Sequence, residues 1–200
     1  MSIERLAQHL NRNIVSNILP SIARQLCSYY ASCSIGLCRI PIDQIVPLSR
    51  IASSRRLTRW VAILSDMMQQ DIDAYEPVIT SDDSPPVRLV LPPIVERHSD
   101  TLYLFDGTHR LLAARSARLE SVSVLLIQGS PLPPLPCAPS TWASIAIQNA
   151  SATLDDVLHD LVRARFRALS ILANSELFTF PNRATLLDQS LAYLPRPLSP

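Results

Sequence analysis

The chain has 200 residues and no lysine: all 18 of its basic residues are arginine. No Schiff-base lysine and no phosphate-loop lysine can therefore exist, and the enzyme classes built on them are excluded. Cysteine is sparse. Cys27, Cys33, Cys38 and Cys137 are spaced unlike the paired ligands of a structural zinc site, so they read as small core thiols. With no H-x-x-H or H-E-x-x-H pair, a metal cage made of protein ligands alone is not expected. Long apolar runs are missing too. The longest, 87–95 and 122–127, cannot span a bilayer, and acid and base are interspersed in the first residues, unlike the apolar region of a signal peptide; the expected location is cytoplasmic, with no membrane contact. Nor is there an excess of one charge. A formal net charge of +1 gives no broad field for non-specific nucleic-acid binding, so DNA is not the expected partner.

Hydrophobic residues make up 48% of the chain, enough for one compact domain with helical extensions. Ile3, Leu6, Leu10, Ile14, Ile18, Ile22 and Leu26 fall on one helical stripe interrupted at Pro20, which predicts a helical lead-in over residues 1–36. Residues 37–46 read as extended and residues 57–70 as helical, giving a strand followed by a helix. The acidic, proline-bearing stretch 71–86 reads as an irregular excursion with a short strand at 77–80. VRLVLPPIVER and TLYLF suggest a hairpin with RHSD as its loop and His98 exposed, and VSVLLIQ is its expected partner. A proline-rich connector at 129–140 should lie over the surface. Thr153 is a plausible helix cap, followed by a long amphipathic helix to residue 178; its RARFR run reads as a solvated face paired with Asp155, Asp156 and Asp160. The expected units are thus residues 1–36, a core over residues 37–130, and a connector with a C-terminal helical segment over residues 131–200.

One of only three glycines stands in LYLFDGTHRLLAARSARL, residues 102–119. Asp-Gly alone is the mark of a hairpin turn, but Leu111, Leu112, Arg115 and Leu119 follow at helical spacing, so Gly107 should turn a strand into a helix. Thr108 is the expected N-cap. The start of a helix presents unpaired N–H groups and a partial positive charge, to which His109 and Arg110 add donors, His109 with a proton that titrates near neutrality. That pattern suits phosphate. Asp106 beside it would repel phosphate unless it held a metal ion or accepted a proton from a hydroxyl substrate, and this mixture of signs suits phosphoryl transfer. The competing reading of the residues is a structural, salt-bridged turn.

The order IPIDQIVPLS, helix, PPIVERHSDTLYLFDGTHRLLAA, SVSVLLIQ resembles the core of the ParB/sulfiredoxin superfamily over roughly residues 38–128. That likeness implies an α+β domain with a small mixed sheet and flanking helices. Thr108 stands where sulfiredoxins carry their redox cysteine, so sulfinic-acid repair is not implied, and the helix-turn-helix module of ParB partition proteins has no counterpart here. Asp106-Gly107-Thr108-His109-Arg110 resembles the D-G-H-H-R turn of the free L-serine kinases in the same superfamily. The resemblance implies that Asp106 meets the acceptor hydroxyl, that Gly107, Thr108, His109 and Arg110 grip the nucleotide phosphates, and that Asp106 and His109 are catalytic. It also implies ATP or ADP as donor, with Mg2+ bridging phosphates and Asp106. Those kinases have a glutamate where this chain has Ser49.

Ser49, Arg55 and Arg56, after the first strand, and Glu96 are substrate-binding candidates, and Glu96 and Glu76 are general-base candidates by chemistry alone. The expected activity is a nucleotide-dependent phosphotransferase acting on a small hydroxyl compound such as serine or threonine, with a homodimer left open. The alternatives are a nucleotide-binding regulator with a DNA or protein partner, and different chemistry on a phosphorylated substrate.

Overall fold

The computed structural model of the protein describes residues 2–4, 30, 32–76, 78–82, 84–167 and 179–180; for 2–4, 78–82, 84–90 and 179–180 the backbone alone is described. The strands are β1 (Ser2–Glu4), β2 (Cys33–Pro41), β3 (Ile45–Pro47), β4 (Ile51–Ser53), β5 (Val78–Asp82), β6 (Ser84–Val90), β7 (Ile94–His98), β8 (Thr101–Asp106), β9 (Ser121–Gly129), β10 (Ala146–Gln148) and β11 (Thr179–Phe180). The helices are α1 (Ser54–Gln69), α2 (Thr108–Ser116) and the single turn α3 (Leu154–Val157). The architecture is α+β. A five-stranded mixed sheet runs β2-β9-β7-β8-β3, antiparallel at β2–β9 and β7–β8 and parallel at β9–β7 and β8–β3. A short parallel pair, β10-β4, and a second sheet, β1-β5-β6-β11, complete the described strands.

The alternation in β8 explains the layering. Leu102 and Leu104 are buried, join Val95 of β7 and Val122, Val124 and Leu126 of β9, and meet Ile63, Leu64 and Met67 of α1 and Leu111, Ala113 and Ala114 of α2 in one core. The alanines let α2 approach closely; Leu111, with no exposed surface, contributes ~2 kcal/mol of burial. Tyr103 and Phe105 point to the opposite face, where they pack with Phe166 near the buried Leu48, Cys137 and Leu158.

Several expectations need correction. The predicted helix from Thr153 to residue 178 is a single turn, α3, after which Leu158 bridges to Ser49 and Arg163–Arg165 form a short 3-10 turn; residues 168–178 lie outside the described residues. Its N-terminus was read correctly: Thr153 caps it, with Asp156 bonding back at 2.8 Å. The lead-in is not helical at its ends. Ser2–Glu4 is a strand paired with β5, and β2 begins at Cys33, inside the predicted lead-in; residues 5–29 and the stripe they carry lie outside the described residues. The run 87–97 is divided at Leu91, Pro92 and Pro93 between two sheets, because proline cannot donate to a ladder. His98 is not an exposed loop residue but the last of β7, with 20% of its side chain open. Among the described residues no helix is long and apolar enough to cross a membrane.

Candidate functional site

The Asp106–Arg110 turn joins β8 to α2. Gly107 has φ +108°, and a Cβ there would lie 2.7 Å from Pro93 Cβ and 3.0 Å from its Cα, so both conformation and space require glycine. Gly107, not Thr108, is the N-cap, and no side chain caps the helix. Thr108 is the first helical residue, and its hydroxyl donates to Ser49 Oγ at 3.1 Å. The capping expectation failed because αL glycine already turns the chain, which releases the threonine hydroxyl for a contact across the site.

A second helix start meets the first. Ser53 caps α1 through its side chain, and its N–H donates to His109 Nε2 at 2.9 Å. The imidazole is therefore an acceptor at Nε2, with its proton on Nδ1. Burial, then the Arg56 charge, push its pKa from 6.5 down to about 4, with Asp106 opposing and Arg110 adding to the fall. The expectation of a histidine titrating near neutrality is thus overturned: His109 is neutral at pH 7, and it ties the two helix N-termini together.

Arg110 is buried. Its guanidinium donates to the Leu91 carbonyl and to Asp106 Oδ2, and lies 5.2 Å from the centre of the Trp60 ring. The Tyr75 hydroxyl donates to the Arg110 carbonyl. The arginine therefore supports the turn from beneath and holds Asp106, whose side chain keeps 27% of its surface open. Arg55 and Arg56 are exposed on the first turn of α1. Beside them the Ser54 hydroxyl bonds Asn149 Oδ1, at the end of β10, which pairs in parallel with β4. Asp106, Thr108, His109, Arg110, Ser49 and Arg56 are thus brought to one junction.

Glu96 is not brought there. It is fully buried on the other face of the sheet against Arg167, Tyr30 and His98. Glu76 ends the loop after α1, half-buried, with its N–H on the Asp73 carbonyl. Sequence reasoning missed Asn149, Trp60 and Tyr75 as members of the site. Asn149 carries no local signal, being placed by the β10–β4 pairing; Trp60 was legible only as part of a helical apolar face, and Tyr75, fully buried, lies in the stretch 71–86 that was expected to be an irregular excursion.

The junction has the parts of an anion site. α2 begins with N–H groups that no side chain caps, α1 begins beside it, Arg56 adds charge, and a partly open carboxylate stands at the rim. Among the described residues no three metal-ligating side chains cluster. The carboxylate at the junction, Asp106, is paired with Arg110.

No family model matches the chain, and no curated protein matches it. Among solved structures it is similar to SbnI with C-terminal truncation from Staphylococcus aureus, at 19% identity and TM-score 0.31 over 45% of this chain and 30% of that one. It is also similar to protein Atu1540 from Agrobacterium tumefaciens, at 19% identity and TM-score 0.31 over 48% of this chain and 40% of that one. The chain spans well under half the length of either, and at this TM-score neither likeness bears on the chemistry.

Proposed function

We propose that the protein is a nucleotide-dependent phosphotransferase, moving a phosphoryl group from ATP or ADP to the hydroxyl of a small molecule, a free amino acid such as serine or threonine being the favoured acceptor. The observation that carries this reading is the His109–Ser53 bond, which places two helix N-termini side by side with Asp106 at the rim. Phosphoryl transfer asks little covalent chemistry of a protein; it asks for positioning and for charge where the transferring oxygens sit. The first-turn amides of α2 and the exposed Arg55 and Arg56 supply the charge. Asp106, held by Arg110, accepts the hydrogen bond of the acceptor hydroxyl in this reading and takes its proton. Neutral His109 acts here as a structural tie, not as an acid. Magnesium, held by Asp106 and the phosphates, would neutralise phosphate charge. The ParB/sulfiredoxin likeness of the sequence supports the same reading.

The test is direct. Protein, ATP or ADP, magnesium and a pool of hydroxy amino acids are incubated together and a phosphorylated product is sought by mass spectrometry. Asp106→Asn is expected to abolish turnover while nucleotide binding, measured by calorimetry without magnesium, stays within about twofold, since the carboxamide retains the shape but not the basicity. Absence of product from every acceptor, or full activity in Asp106→Asn, overturns the reading.

A further inference from the structure

On the sheet face away from α1 and α2, three residues far apart in the chain close a buried ionic cluster. Glu96 is fully buried, Arg167 is 3% exposed and Tyr30 4%. Arg167 Nε donates to Glu96 Oε1 at 3.0 Å and Nη2 to Oε2 at 2.8 Å, a two-point clasp. The Tyr30 hydroxyl donates to Oε1 and accepts from Arg167 Nε at 2.9 Å; His98 Nε2 meets Oε2 at 2.8 Å. Nη1 binds the Pro134 carbonyl at 3.1 Å and that of Arg165 at 2.9 Å, which anchors the proline-rich segment to the same guanidinium.

Stability alone is a poor reason for such a pair, because the desolvation of two charges offsets most of their attraction. Its contacts suggest another. The Arg167 guanidinium lies 4.4 Å from the centre of the Phe105 ring, and the His98 ring stacks on Phe105 at 12° and 6.4 Å. Phe105 is the residue immediately before Asp106. With Leu104 locked in the helix-face core and Phe105 packed against the guanidinium and the imidazole on the other face, the last residues of β8 are fixed from both sides of the sheet.

We propose that Arg167 is a positioning residue: clasped by Glu96, it holds Phe105 and so fixes the strand end from which Asp106 and the Gly107 turn project, coupling the docking of the C-terminal segment to the geometry of the phosphotransfer site. This rests on the role given to Asp106 above. A misplacement of an orienting group by a fraction of an ångström to an ångström lowers the rate without weakening ligands held elsewhere in the site.

Removing Arg167 alone strands a buried carboxylate and can unfold the protein, so the informative variant neutralises both partners, Glu96→Gln with Arg167→Met. The melting transition reports whether it is folded. Amide hydrogen exchange of residues 105–109 is expected to quicken, kcat to fall by about ten- to a hundredfold, and nucleotide affinity to hold within about twofold. Phe105→Leu, which keeps the ion pair and removes the ring, should reproduce the exchange and kcat effects, and it decides the matter alone if the double variant does not fold. Wild-type exchange at 105–109 in folded double variant, or in Phe105→Leu, overturns the proposal. If the wild-type protein transfers no phosphate to any acceptor, the functional reading fails, and the exchange measurement still decides whether the cluster positions the turn.

Discussion

His109 is defined by the bond it receives. Because Ser53 N–H points at Nε2, protonating that nitrogen would break the tie between α1 and α2, and burial with Arg56 already disfavours the cation. With its pKa near 4 in the folded protein and 6.5 in the unfolded chain, the unfolded chain binds more protons between those values, so stability rises with pH across that window. The contribution is fully present above pH 6.5 and lost as pH falls toward 4. His109→Gln, whose amide oxygen can accept from Ser53, should therefore lose less stability than wild type between pH 7 and pH 4.5, measured by urea denaturation at both; an equal loss in the two proteins would refute the assignment. Gly107 sits beside it under a harder constraint. Gly107→Ala forces a side chain into left-handed backbone and against Pro93, at a cost of about 1–3 kcal/mol, read as a lower urea midpoint.

The elements divide by what determines them. The helices α1 and α2, the β7–β8 hairpin and its β9 partner were legible because each carries its own period or turn chemistry: helical spacing over 57–70, Gly107 at a strand end, the polar RHSD between two β-rich runs. The helix expected from Thr153 was not legible, because what ends it lies 106 residues earlier. Arg50 Nε takes the Asp156 carbonyl at 2.6 Å, Nη2 that of Asp155 at 3.1 Å, and the Arg50 N–H that of Val157 at 2.8 Å. Those are the acceptors the next helical turn would need, and with them occupied by the guanidinium and the backbone N–H of Arg50 the chain leaves the helix. The site divides likewise. The Asp106–Arg110 half is contiguous and readable from residue types, whereas the Ser49–Thr108, Ser53–His109 and Ser54–Asn149 contacts exist only once the strands are assembled. Arg50→Ala should release α3 and the Leu158 bridge, seen as faster amide exchange at residues 157 and 158 with a stability loss of about 1–2 kcal/mol. Unchanged protection there would show that the segment holds itself.

At the scale of the molecule the two faces of the sheet are each centred on one buried arginine. Arg167 gathers Tyr30, Glu96 and the proline-rich segment on one side; Arg110 gathers α1 through Trp60, the entry to β7 through Leu91, and the end of β8 through Asp106 on the other. Trp142 links the outer segment back to the sheet, its Nε1 on the Ile45 carbonyl at 2.8 Å and its ring 5.2 Å beneath Arg115 of α2. An arginine serving only to clamp phosphate would be dispensable for folding and costly to binding. The contacts of Arg110 argue the reverse order of effects. Arg110→Ala should lower global stability by about 3 kcal/mol, since it orphans the Leu91 carbonyl and leaves Asp106 unpaired. Arg110→Lys should recover only part of this, because an ammonium cannot reach both acceptors while lying flat on Trp60. Urea denaturation without ligand separates the cases: a midpoint equal to wild type in Arg110→Ala would return the guanidinium to the ligand, whereas a large fall in the alanine variant and a smaller one in the lysine variant places it in the frame that holds Asp106.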